Sequence, residues 1–167
     1  MAVDMFLKLE GIDGESQDKK HKGEIDILAW SWGASQSGTT HMGSGSGAGK
    51  VSVQDVSVTK YIDSASAALL QHITTGKHIP TGRLLVRKAG DTPLEYINLS
   101  MEDIIITSFQ IGGSGGEERL TENMTMNFAK YGLYYTPQKA DGSGEADKQT
   151  AYDIQANDKE ATVKKQA

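Results

Sequence analysis

Apolar and polar residues alternate along most of this chain with a period of two. Val3, Met5, Leu7 and Leu9 are interleaved with Asp4 and Lys8, and Phe6 is the one residue out of pattern. That is the signature of a strand with one buried face. The next run is longer: Ile25 and Ile27 share one face, then Leu28, Trp30 and Trp32 take the other. Val51 and Val53 give way to Val56 and Val58 in the same manner, and Met124, Met126 and Phe128 give way to Tyr131, Leu133 and Tyr135. One extra residue flips every later side chain to the opposite face and sharpens the bend, as at a barrel corner. The alternative is that each run is two short strands. Leu84 to Arg87, Ile97 to Met101 and Ile104 to Ile111 supply further strands.

One segment reads as a helix. Asp63 or Ser64 can cap it, Ala65, Ala67 and Ala68 favour it, and Leu69, Leu70 and Ile73 form an apolar stripe. Gly76 suits the left-handed position that ends a helix. Many strands and one short helix predict a mainly β fold, a β-barrel or two-sheet sandwich with the helix packed on it.

The texture changes at Pro137. Gln138 to Thr150 is rich in Gly, Lys, Asp and Glu and reads as a loop or linker. Ala151-Tyr152-Asp153-Ile154 is a short apolar patch, a candidate last strand. Residues 158–167 are charged and lack an apolar stripe, so they read as a frayed tail following a single domain over 1–157.

Length and composition fit one soluble globular domain: 167 residues, 37% of them hydrophobic, with a mean hydropathy of −0.44. No run approaches the ~18 apolar residues of a membrane span. Met1-Ala2-Val3-Asp4-Met5 has neither a basic region nor an apolar signal core, so export would proceed without an ordinary cleaved signal. Without cysteine there is no disulfide and no thiolate zinc site. A net charge of −5 and a pI near 5.3 argue against nucleic acid as a partner.

Candidate chemistry is thin. Gly43-Ser44-Gly45-Ser46-Gly47-Ala48-Gly49-Lys50 suggests a phosphate loop, but the pattern needs glycine at Ser44 and Ser or Thr at Val51. The segment also leads into a strand, not into the helix N-terminus that would supply amides. His21, His41, His72 and His78 do not cluster as metal ligands would, and they read as surface or packing residues. Asp4, Glu10, Asp13 and Glu15 do not match calcium-loop spacing. The sequons at Asn98 and Asn123 fall inside expected strands. No metal and no cofactor is expected.

The most distinctive stretch is Gly112-Gly113-Ser114-Gly115-Gly116-Glu117-Glu118-Arg119-Leu120-Thr121-Glu122-Asn123. Its pentad matches G-x-S-x-G, the nucleophile elbow of serine hydrolases, which makes a small secreted hydrolase using Ser114 the alternative reading. An elbow needs a strand–turn–helix setting with its histidine later in the chain. Here Thr, Asn, Met and Phe alternate after the turn, and all four histidines precede Ser114.

This stretch continues into Met124-Thr125-Met126-Asn127-Phe128. Together with Ala29-Trp30-Ser31-Trp32-Gly33-Ala34-Ser35-Gln36-Ser37-Gly38, Gly47-Ala48-Gly49-Lys50-Val51 and Gly76-Lys77-His78, it resembles the haemolysin-coregulated protein (Hcp) family, the tube protein of bacterial type VI secretion. The similarity runs from Ala2 to about Asn157 with the motifs in the family's order. The resemblance implies a barrel-like subunit without catalysis or cofactor. Such subunits form a homohexameric ring with a wide channel, and the rings stack into a tube. The partners it implies are a contractile sheath, a spike protein and effectors carried in the channel; nucleic acid and membrane insertion are not among them. The expected course is assembly in the bacterial cytoplasm, then secretion to the exterior or into a target cell.

Two site expectations follow. The loop Thr39-Thr40-His41-Met42-Gly43-Ser44-Gly45-Ser46-Gly47-Ala48-Gly49-Lys50 is long for a hairpin connection and is expected to make the ring-stacking contacts. If Trp30 and Trp32 are buried, alternation puts Ser31, Gly33 and Ser35 on the opposite face, a small and mildly polar surface suited to lining the channel.

Overall fold

The computed structural model describes residues 2–38, 41, 47 and 49–167. Its elements, in chain order, are β1 (Val3–Leu9), β2 (Ile25–Asp26), β3 (Ala29–Ser31), β4 (Ala34–Ser35), β5 (Ser52–Val53), β6 (Val56–Tyr61), α1 (Ser66–Thr75), β7 (Ile79–Lys88), β8 (Leu94–Gly112), β9 (Thr121–Tyr135) and β10 (Lys148–Asp153). One antiparallel sheet runs β2-β1-β7-β8-β9-β6-β3, and β10 pairs with β9 beyond the end of β6. The two outer strands of that path, β2 and β3, are separated only by Ile27 and Leu28. The sheet therefore curls until its ends meet. The Ile27 N–H bonds to Met5 on one side and the Leu28 N–H to Thr59 on the other. The change of face read at Leu28 is the point where one strand leaves β1 for β6, so the barrel reading holds over the sandwich.

The other face changes resolve in two ways. Val51–Val58 is two short strands, with β5 in a separate ribbon with β4. The Met124–Tyr135 run is one continuous strand, and its neighbours switch face at the same level. In β8, Leu99 and Met101 face the core before the switch and Ile104 and Ile106 after it. In β9, Met124, Met126 and Phe128 point inward, then Tyr131 and Leu133. Asp103 sits at the crease with φ 54°, a left-handed conformation that asparagine and aspartate tolerate best among residues with a side chain. Strand β8 is therefore one strand where the sequence suggested two.

The core is formed by the inward rows of all these strands, with Leu69 of α1 closing one side. Gly82 is required where β1 and β8 crowd β7: an added Cβ would lie 2.8 Å from both Leu9 Cδ2 and Ile104 Cδ1. Gly76 ends the helix at φ 67°, as expected. At the other end Ala65 holds the cap position, and the Asp63 carboxylate two residues earlier accepts the Ala65 N–H. Leu69 is buried and Ile73 half-buried, while Leu70 is exposed. Among the described residues, no helix is long and apolar enough to cross a membrane.

The outer face of β1, β7, β8 and β9 is covered by the loop between β1 and β2 and by the C-terminal segment. Phe6, out of pattern in the sequence, is buried there beneath residues 13–24. Beyond the expected linker, residues 161–167 lie back across β9 and β8, against the expectation of a frayed tail. Val163 is 1% exposed and its carbonyl accepts the Tyr134 hydroxyl. The Gln166 N–H donates to Ser100 Oγ at 3.0 Å, and Asn98 Nδ2 donates to the Gln166 carbonyl at 2.8 Å. Gly132 makes room for Val163 on the sheet surface, where a Cβ would sit 3.1 Å from the valine's.

Candidate channel face and assembly surfaces

Strand pairing brings Ser31 into a row. It stands opposite Ser57, Ser57 opposite Thr125, and Thr125 opposite Ser108, so four hydroxyls cross four strands on one face. The adjacent row is Ala29, Thr59, Asn123 and Gln110. The side chains bond along the surface: Thr59 Oγ1 donates to Asn123 Oδ1 at 2.6 Å, and the Thr125 and Ser108 hydroxyls are 2.6 Å apart. Asp55, one level on, accepts from Thr107 at 2.7 Å and Asn127 at 2.9 Å. The result is a broad, nearly uncharged carpet of short hydrogen-bonding side chains.

The opposite faces of these strands make the core. Trp30 and Trp32 are half-buried rather than buried, yet both pack on it. Trp32 lies edge-on to Tyr131 at 4.9 Å between centroids and donates its indole N–H to the Gln54 carbonyl. Burial also raises the Tyr131 hydroxyl's pKa, with the neighbouring Tyr152 adding to it. Gly33 and Ser35 do not join the Ser31 row: β4 pairs only with β5, outside the main sheet. Alternation failed there because the strand ends at Ser31. Of the 39–50 segment, Thr39, Thr40, Met42, Gly43, Ser44, Gly45, Ser46 and Ala48 lie outside the described residues. His41, Gly47 and Lys50 are exposed, and the Gly49 N–H reaches the Ser37 carbonyl at 3.3 Å.

Two buried polar clusters were missed from the sequence. In the first, Lys60 of β6 and Glu122 of β9 point into the barrel with no exposure. Lys60 donates to Glu122, to Asp63 Oδ1 and to the Tyr61 carbonyl, and the Ser66 hydroxyl donates to Glu122 at 2.8 Å. The start of α1 is thereby tied to two strands. Both residues occupy core-parity positions of their strands (Val56, Val58, Lys60 and Glu122, Met124, Met126), a signal that was available in the alternation.

In the second cluster, two buried arginines of β7 hold residues 13–24 down. Arg83 donates to both Glu24 oxygens at 2.9 and 2.7 Å, and Arg87 to Asp18 and Asp4. His21 stacks on Phe6 and lies between Glu24, Glu95 at 2.7 Å, and Arg83. The Arg87 hydrogen bond holds the Asp18 carboxyl down at about 2. Burial works to raise Glu24, but the bonds and charges of Arg83 and His21 outweigh it and leave it lowered.

Ser114 lies at the exposed tip of the β8–β9 hairpin, with strand on both sides. An elbow would need a helix there, so the geometry offers no strained nucleophile and the hydrolase reading falls.

Residues 6–135 match the family model described as "Type VI secretion system effector, Hcp". The chain belongs to the Hcp family. It is 55% identical over 144 residues to Protein hcp1 of Pseudomonas aeruginosa, covering 86% of this chain and 89% of that one. Hcp1 from Salmonella typhimurium superposes with a TM-score of 0.76 at 36% identity, over 95% of this chain and 99% of its own. A type VI secretion system effector from Yersinia pestis gives 0.75 at 38%, over 90% and 99%. This Hcp chain is a type VI secretion tube protein, and the barrel-like fold is the family's.

Proposed function

We propose that six copies of this Hcp chain close into a ring, that the rings stack through the 39–50 segment, and that the Ser31 row faces the central channel. The observation that carries the channel assignment is the row Ser31–Ser57–Thr125–Ser108. A lumen that must let proteins rest and slide needs contacts that are individually weak, and short neutral hydroxyls supply them. Gly33 and Ser35 were placed beside Ser31 by alternation; in the channel reading they sit on the β4–β5 ribbon next to the row. Sheath, spike and effectors are the partners of the assembled tube. The chain acts structurally, without catalysis or cofactor. It assembles in the bacterial cytoplasm and leaves the cell as part of the tube.

Light scattering should give six copies of the 18.0 kDa chain. Deleting residues 43–49 should leave the fold intact and abolish tube assembly and secretion. A monomer at every concentration would sink the ring, and normal secretion by the deletion variant would sink the stacking role.

A further inference from the structure

We infer that Lys19, Lys20 and Lys22 form a docking surface for the Glu117–Glu118 hairpin tip of a second copy of this chain. The inference rests on the ring reading and supplies one of its contacts.

The three lysines are exposed, and among the described residues none takes part in an ion pair. They stand on a segment held with unusual firmness. The inward residues between and beside them, Asp18 and His21, are gripped by Arg87, Arg83 and Glu95. The backbone closes the same loop: the Gly14 N–H bonds to Gly23 at 2.8 Å and the Ser16 N–H to Glu24 at 3.0 Å. Two arginines buried in a sheet face are a costly way to fix a surface loop. The construction fixes a segment carrying three exposed lysine charges, beside an Asp18 carboxylate already held by Arg87.

The complementary feature is the hairpin whose glycine pentad remains unexplained by the tube reading. Its base is fixed: the Arg119 guanidinium lies 3.9 Å above the Tyr61 ring, and the Ile62 N–H bonds to the Leu120 carbonyl. Every residue from 111 to 120 is nonetheless exposed. The Glu117 carboxylate accepts the Ser114 N–H at 3.4 Å and the Glu117 N–H donates to the Ser114 carbonyl at 3.2 Å, and neither Glu117 nor Glu118 is in an ion pair among the described residues. A glycine arm carrying two carboxylates can adjust to a rigid basic surface at little steric cost. The chain's net charge of −5 makes this basic loop the natural counter-pole for another copy. Basic loop and acidic arm are different patches, which a head-to-tail contact of the kind that closes cyclic rings can pair.

The test is a charge swap in the full-length chain. Lys20→Glu/Lys22→Glu and, separately, Glu117→Lys/Glu118→Lys should keep the wild-type circular dichroism. Each should raise the concentration at which the oligomer half-dissociates by about tenfold at low salt, because attraction becomes like-charge repulsion. The loss should shrink as salt screens the contact. Combining all four substitutions in one chain should restore assembly. Unchanged assembly in either variant would overturn this contact and leave the ring standing. So would failure of the combined variant to recover, which would mean that the two patches meet other partners. A wild-type chain that never associates would overturn the ring reading itself.

Discussion

Lys60 donates to Glu122 inside the barrel, and neither side chain has any exposure. The pair joins β6 to β9 at the level where α1 begins, because Asp63 and Ser66 share its hydrogen bonds. Removing Glu122's charge leaves the buried Lys60 with Asp63 as its remaining charged partner. Glu122→Gln should therefore destabilise, but by less than the ~3–5 kcal/mol of a buried charge left wholly unpaired. Lys60→Met/Glu122→Leu removes both charges but leaves the largely buried Asp63 carboxylate with the Ala65 N–H as its partner, so it should recover part of that loss. Urea unfolding at fixed protein concentration measures both. A negligible effect of Glu122→Gln would mean that Asp63 alone satisfies Lys60 or that Lys60 reaches water.

The C-terminal segment gives a second prediction. Val163 is buried against Gly132 and Tyr134, so Val163→Ala should cost ~1–2 kcal/mol from lost apolar burial. The Gln166 amide, bonded to Ser100 Oγ, should exchange its hydrogen slowly. A silent Val163→Ala together with rapid exchange at Gln166 would show the segment frayed in solution.

The alternation made the strands and the inward rows legible because burial of one sheet face is a local, period-two signal. It also located the barrel corner at Leu28. What it could not show is which strands pair, and the Ser31 row exists only through pairing. Ser57 and Thr125 are as visible as Ser31 in the alternation Val56-Ser57-Val58 and Met124-Thr125-Met126, but nothing local says that they stand together. Val163 is a lone apolar residue in a charged tail, so it carries no periodicity to read. The buried arginines were hidden differently: Arg83 and Arg87 flank Leu84-Leu85-Val86, and their burial depends on a loop some sixty residues earlier.

Asp18 makes stability pH-dependent. Its folded value of about 2 lies below the ordinary carboxylate range, so the folded state holds fewer protons than the unfolded one. The contribution is present above that range and is lost as pH falls toward 2. Glu24 and Asp147, both lowered, act in the same direction, Asp147 through its bonds from Lys165 and Thr136. Asp18→Asn should be less stable than wild type at neutral pH, and the gap should close as pH approaches about 2. Parallel curves for the two proteins across acid pH would rule Asp18 out as a source.

The hydroxyl row predicts equivalence. Ser31 and Thr125 lie on different strands, two inter-strand spacings of about 4.8 Å apart, with Ser57 between them. If this face lines the channel, cargo meets the row as one surface and not Ser31 alone. Ser31→Gln and Thr125→Gln should both preserve circular dichroism and ring size, since surface changes of this kind usually fall within about 0.5 kcal/mol. Both should alter cargo co-purification in the same direction, because each raises a longer side chain above a floor of short ones. Glu145→Gln, on an exposed loop away from the row, should not. An effect confined to Ser31 would make it an isolated contact. No effect from either, in rings that still carry cargo, would place this face outside the channel.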